Sequence, residues 1–273
     1  MKNNINRDHY FKSIEQSLLE LKQQSITLLD LKIIDASLKE LRKTAQVFAP
    51  LHHIRKVTVF GSARARPKDA IYRMAKAFAK EISKKGYMVM TGAGPGVMQA
   101  AHEGAGTPKS IGLNIQLPFE QTANPIIQGD AKLVNFKYFF NRKLTMVKES
   151  DALVLFPGGY GTQDELFETL TLLQTGKTRP TPLIVMEPKQ NTYWKSWKKF
   201  ISQSLLKRGL ISKEDLSFVL FSTDVKDAVN FISFFYKNYH SIRYYQNALL
   251  IRVWRIPSPK ELSKISKKFK DIL

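Results

Sequence analysis

The chain has 273 residues, 43 Lys and Arg against 23 Asp and Glu, a formal net charge of +20, 43% hydrophobic residues and no cysteine. That length holds one large α/β domain with additions or two small domains, and the balanced composition excludes wholesale disorder, collagen and coiled coil. Without cysteine there is no disulfide scaffold, thiol catalysis, Cys-ligated zinc or iron–sulfur cluster. No apolar run approaches the roughly 18 residues of a membrane span, and the first residues, MKNNINRDHYFKSIEQ, lack an apolar signal core. The expectation is a cytoplasmic protein with no membrane partner.

In chain order, residues 8–49 read as one or two helices. Phe11, Ile14, Leu18 and Leu21 recur at helical spacing, as do Leu31, Ile34, Leu38 and Leu41, and Pro50 closes the stretch. From residue 55 the pattern changes. Strands are predicted at 56–63, 87–92, 110–118, 132–136, 152–159 and 182–187. Helices are predicted at 68–85, after the glycines of 94–105, at 138–150 and at 162–177. Strands alternating with helices of this length mean βαβ units and a parallel sheet covered on both faces. The fold class is therefore α/β, a doubly wound, Rossmann-like parallel sheet. The tail differs: 247–256 alternates as a strand, prolines 257 and 259 interrupt, and 259–272 is a basic amphipathic helix. The expected organisation is a helical preface over 1–50, a Rossmann-like domain over 51–240 and a basic strand–helix extension over 241–273.

Three predicted strand ends carry glycines, where a doubly wound sheet binds ligands and helix N-termini favour anions. They are Phe60-Gly61-Ser62-Ala63, the loop Thr91 to Gly96 with Gly94 and Gly96, and Pro157-Gly158-Gly159-Tyr160-Gly161-Thr162. None is a dinucleotide fingerprint, and Gly176-Lys177-Thr178 lacks both the first glycine and the position of a Walker A loop. In the third loop the glycines permit positive φ and close backbone approach. Thr162 with Glu165 three residues later reads equally as a capping box. Arg142-Lys143 opens a mostly apolar helix, and Glu120 follows the third strand. The histidines receive no role, and no metal site is expected.

Together these residues resemble the LOG ("lonely guy") family of nucleoside 5'-monophosphate phosphoribohydrolases. The hallmark PGGxGTxxE stands here as Pro157 to Glu165, the upstream Arg-Lys pair as Arg142-Lys143, and the strand-end glycine loop as TGAGPGVMQAA over 91–101. FGSAR (60–64) and NIQLPFEQ to NP (114–125) fit the bacterial branch. The resemblance, over about residues 55–235, implies a homodimer with active sites near the subunit interface. It also implies hydrolysis of a nucleoside 5'-monophosphate, AMP-like or a cytokinin riboside monophosphate, to a free base and ribose 5-phosphate without a cofactor. Cytokinin activation is among the implied roles. It places catalysis on Arg142 and Glu165, and substrate contacts on Glu120, Lys143, Gly159, Tyr160, Gly161, Thr162, Gln163, Asp164 and Thr171. Gly61, Ser62, Gly94 and Gly96 are further candidates. Phe139-Phe140-Asn141 stands where the plant branch has Met-His, a departure that bears on base specificity. Relatives are often labelled "possible lysine decarboxylase", yet the chain shows no lysine context for pyridoxal phosphate chemistry.

A helix N-terminus alone would keep Glu165 ionised, as a base or a stabiliser of an oxocarbenium-like ribose. A non-catalytic nucleotide sensor with the same loops is the alternative. Nucleic acid is left open by the +20 charge, although no RRM, helix-turn-helix or zinc-finger pattern supports it.

Overall fold

A computed structural model describes residues 2–118, 122–246 and 248–270. In chain order the elements are α1 (Lys2–Gln23), α2 (Leu28–Phe48), β1 (Lys56–Phe60), α3 (Ala70–Lys84), β2 (Met88–Thr91), α4 (Val97–Ala105), β3 (Ser110–Ile115), β4 (Leu133–Phe136), α5 (Phe139–Glu149), β5 (Ala152–Leu155), α6 (Tyr160–Gln174), β6 (Leu183–Met186), α7 (Tyr193–Ser204), β7 (Val219–Ser222), α8 (Val225–Asn238), β8 (Tyr239–Tyr245), β9 (Ala248–Val253) and α9 (Pro259–Lys268).

Seven strands form one sheet in the order β4-β3-β2-β1-β5-β6-β7, every pair parallel. The chain winds outward from β1 to β4, returns to pair β5 beside β1, and winds outward again. Val57 pairs with Val89 on one side and Ala152 on the other. The gap between the C-terminal ends of β1 and β5 is the topological switch point, where such folds bind ligands.

Alternate strand residues feed two cores, as period-2 side chains in a doubly covered sheet must. Val57, Val59, Ala152 and Val154 pack with Phe78 of α3, Ala100 of α4 and Ile232 of α8. Phe60, Leu153 and Leu155 pack with Phe48 of α2, Met146 of α5, Leu166 of α6 and Trp194 of α7. Helix α2 is thus part of the second core, whereas α1 presents Phe11, Ile14 and Leu18 to solvent. Its apolar spacing makes a helix whose apolar side chains stay largely exposed.

Several predicted boundaries shorten or move. Strand β1 ends at Phe60, β3 at Ile115 and β5 at Leu155; Gln116 and Phe156 N–H still donate to the Phe136 and Phe60 carbonyls, and the chain turns into loops beyond them. Helix α6 begins at Tyr160, two residues before the expected start. Residues 188–246, which carried no assigned element, contain α7, β7, α8 and β8. Strand β9 pairs antiparallel with β8 as a separate hairpin. No helix among the described residues is long and apolar enough to cross a membrane.

Candidate active site

A cavity of about 750 Å³ opens over the β1–β5 switch point, within the range of small-molecule sites. Its walls come from all three glycine loops: Phe60 to Arg64 after β1, Gly92 and Met98 around the second loop, and Gly158 to Gln163 with Glu165 from the third. Arg142 and Met146 of α5 and Tyr193 of α7 complete it.

The loops are tied together by their backbones. Ser62 N–H donates to the Pro157 carbonyl at 3.1 Å, and Val97 N–H donates to the Ser62 carbonyl at 3.0 Å. Gly96 has φ +70, and a Cβ there would run into the Ser62 carbonyl, so only glycine fits. Asn124 Nδ2 donates to the carbonyls of Ala93 and Gly94 at 3.0 and 3.1 Å. Behind it, fully buried His102 meets Thr91 Oγ1 and the Ile111 carbonyl, both at 3.1 Å. Burial lowers its pKa to about 4, so it is a neutral structural histidine.

The third loop corrects two expectations. None of Gly158, Gly159 and Gly161 has positive φ. Gly158 is needed for close packing, since a Cβ would strike Thr162 Oγ1. A Cβ on Gly159 or Gly161 would meet nothing within 4 Å. Those two glycines are not required by the fold, and their bare backbone borders the cavity. The Thr162–Glu165 capping box is not formed: Gly159 is the N-cap, without a capping side chain. Thr162 and Gln163 N–H both turn back to the Gly159 carbonyl, at 3.0 and 3.2 Å. Among the described residues the N–H groups of Gly159, Tyr160 and Gly161 have no hydrogen-bond acceptor, as expected of a helix start. The anion donors of the loop are therefore Gly159, Tyr160 and Gly161, not Thr162.

Starting α6 at Tyr160 places Glu165 beyond the first turn, turned inward and 3% exposed. Its Oε1 lies 3.9 Å from Arg142 Nη2 and 3.7 Å from Lys143 Nζ. Its Oε2 and the Nε of Arg142 are buried with no hydrogen-bond partner. Buried polar atoms are ordinarily paired, so these exceptions call for a functional reading. Burial pushes the Glu165 carboxyl up to about 7, against the downward pull of Lys143 and Arg142. The expected low pKa at a helix N-terminus is thus overturned by desolvation. The arrangement joins a proton acceptor that titrates near neutrality to a cation within 4 Å, at the floor of a cavity whose rim offers backbone N–H groups.

Arg142 is packed under the Phe139 ring, 5.0 Å from its centroid, and 14% exposed. A Cβ on Gly92 would crowd Met98 Sδ at 3.0 Å and touch Arg142 Nη1 at 3.4 Å. Lys143 does not line the cavity: its amine is held by Asp164 at 2.8 Å and Glu168 at 2.7 Å. Those contacts raise its pKa against the effect of burial. Asp164 faces outward. Thr171 lies along α6 in a separate apolar cavity of about 190 Å³ with Phe167 and Trp197, and donates to the Phe167 carbonyl. It is not brought to the site in this chain. Gly94 is held by Asn124 at the back of its loop, and Glu120 falls outside the described residues.

Two residues were not foreseen. Tyr193 accepts from Gln163 Nε2 and donates to the Gly158 carbonyl, both at 2.6 Å, bracing the loop from α7. No motif marks it. Arg64 sits exposed on the cavity rim, and FGSAR was its signal. No group of three or more metal-ligating side chains occurs among the described residues.

The family model described as "Possible lysine decarboxylase" matches residues 95–232. The cytokinin riboside 5'-monophosphate phosphoribohydrolase LOG3 of Arabidopsis thaliana is 28% identical over 181 residues, 64% of this chain and 80% of that protein. The enzyme of the same description, LOG, from Oryza sativa subsp. japonica is 33% identical over 133 residues, 45% of this chain and 51% of its own length. A solved structure of the molybdenum cofactor binding protein from Rippkaea orientalis superposes with TM-score 0.47 at 20% identity, covering 67% of this chain and 98% of that one. With the family model spanning half the chain and the PGGxGTxxE loop seated at the switch point of the sheet, this protein belongs to the LOG family, the "Possible lysine decarboxylase" family by its older description.

Proposed function

We propose that this chain hydrolyses the N-glycosidic bond of a nucleoside 5'-monophosphate to a free base and ribose 5-phosphate. The observation that carries the reading is the buried Glu165–Arg142 pair, each with an unpartnered polar atom, beneath a helix start with three unengaged N–H groups. The 5'-phosphate would sit on the N–H groups of Gly159, Tyr160 and Gly161, with Arg64 across the cavity. Bond breaking builds positive charge on the ribose ring and negative charge on the departing base. Glu165, ionised, stabilises the first and takes a proton from the water that adds to C1'. The C1'–N bond electrons leave with the base, which Arg142 steadies electrostatically until it takes a proton from solvent, while Glu165 gives the proton it took from water back to solvent. Phosphate binding is remote from the broken bond, so nucleosides lacking it should react poorly. The relatives' names support a cytokinin riboside monophosphate as one candidate. AMP and related nucleotides fit the same cavity chemistry.

We further infer a homodimer, supported by the exposed Phe139, Phe140 and Leu144 on α5 beside the site. Light scattering on the purified chain tests it.

The deciding assay incubates the protein with AMP, GMP, IMP, CMP, UMP and isopentenyladenosine monophosphate, and with the matching nucleosides. Free base and ribose 5-phosphate are quantified. Cleavage of a monophosphate with its nucleoside spared is expected. Folded protein that binds these nucleotides and cleaves none would make the chain a sensor.

A further inference from the structure

Glu40 is a charged residue on the buried face of α2, which it shares with Thr44, Val47 and Phe48. It is 9% exposed, and its carboxylate faces no cation within salt-bridge distance among the described residues. Both oxygens are used on the start of α5 instead. Oε1 accepts from Lys137 N–H at 2.6 Å, and Oε2 accepts from Asn141 Nδ2 at 2.7 Å. Helix α5 has no capping side chain of its own, since Tyr138 stands at its N-cap. Glu40 supplies from another element what the local sequence lacks: a negative group at the positive end of a helix.

The grip reaches the site through the next residue. Asn141 is 2% exposed and fixed toward α2, and Thr145 Oγ1 donates to its carbonyl at 2.8 Å. Successive residues on a helix point roughly 100° apart. Pinning Asn141 against α2 therefore sets the rotation of α5 that turns Arg142 toward Glu165.

We propose that Glu40 is a positioning residue for Arg142, so that the N-terminal helix α2 is a working part of the active site and not an appendage. The inference rests on the catalytic reading of Arg142 and Glu165.

The test uses the full chain and the variants Glu40→Ala and Glu40→Gln, the second retaining an acceptor for Lys137 N–H should the first fail to fold. The first readout is turnover of the monophosphate cleaved by the wild type. A misaimed Arg142 is expected to lower kcat by about 10- to 100-fold, with KM little changed. The second readout is the titration midpoint of Glu165 by carboxyl ¹³C NMR, which needs no substrate. The charged groups acting on Glu165 are Arg142 and Lys143 of α5 and Asp164 and Glu168 of α6, with Arg64 on the cavity rim. Losing Glu40 as a distant negative charge would lower that midpoint, whereas Arg142 moving away raises it. A raised midpoint with lowered kcat is the expected result. A fall in Tm with kcat unchanged and the midpoint unchanged or lowered overturns the proposal and leaves Glu40 a structural cap. Should the wild type cleave no monophosphate, the catalytic reading fails by itself, and the direction of the Glu165 midpoint still decides whether Glu40 aims Arg142.

Discussion

Replacing Glu165 with glutamine should make the protein more stable while disabling it. The carboxyl is 3% exposed and has its pKa pushed from an ordinary 4.5 to about 7 by burial. An acid whose folded pKa lies above its unfolded value stabilises the fold when protonated in both states. That stability is lost as pH rises from the unfolded value through the folded one. Over this window the wild type should lose about 3 kcal/mol. Glutamine mimics the protonated form, leaving Arg142 equally without a counter-charge while Lys143 keeps Asp164 and Glu168, so it escapes the penalty. In urea denaturation followed by circular dichroism, the two proteins should match at about pH 4.5, and the variant should lead by about 3 kcal/mol above about pH 8. Titrating groups remote from the site cancel in the difference. Turnover of the variant should fall by about 10²-fold or more. A stability gap that is flat with pH, or a variant less stable at high pH, would refute the reasoning. It would mean that the site solvates an ionised Glu165 at no cost, and that burial is not what tunes it.

The remaining expectations are simpler. In the wild type, kcat/KM should rise with pH through about 7 to a plateau, because the ionised carboxylate is the working form; a fall over that range in a pH–rate profile would make Glu165 the acid. Gly161→Ala meets nothing within 4 Å in the fold, so its Tm should hold or rise, while KM for the monophosphate increases by about 10-fold or more as the methyl enters the phosphate position. Gly96→Ala, with φ +70 and the Ser62 carbonyl in the way, should instead lower stability by more than about 1 kcal/mol, read by urea denaturation. Tyr193→Phe removes both hydrogen bonds of the brace on the third loop and should cost about 1–3 kcal/mol, with KM rising in steady-state assays.

The sheet was legible because parallel strands buried on both faces leave unmistakable runs, such as KVTVF and ALVLF before glycine. The doubly wound class followed from the βαβ rhythm, whereas the order β4-β3-β2-β1-β5-β6-β7 comes from the structure. The third loop was legible as a motif but not as a geometry. A Thr followed by Glu at three residues is the spacing of a capping box, and only the earlier helix start at Tyr160 turns Glu165 into the core. That two-residue difference also reverses the direction of its pKa shift. Thr171 shows the opposite limit, since a residue carried over from relatives lands outside the cavity that this chain forms. Tyr193 and Glu40 left no trace in local pattern. Each acts on a segment 30 or more residues away, through hydrogen bonds that depend on how whole elements pack.

The contact between α2 and α5 has a consequence for how the molecule is made. Its partners are 97 and 101 residues apart in the chain, and the preface emerges from the ribosome before any strand it will cover. Leu38 and Leu41 stay uncovered even in the finished fold, and Val47 and Phe48 have no core to enter until the strands of the second core follow. Closing so long a loop is slow relative to local helix formation. Docking of α2 therefore waits on synthesis of Lys137 and Asn141, much as β1 waits on β5, 95 residues on for Val57 and Ala152, and until it happens Arg142 is not aimed. Maturation of activity should lag behind acquisition of secondary structure in refolding, and exposed apolar helix surface during that interval makes this the stage most open to aggregation.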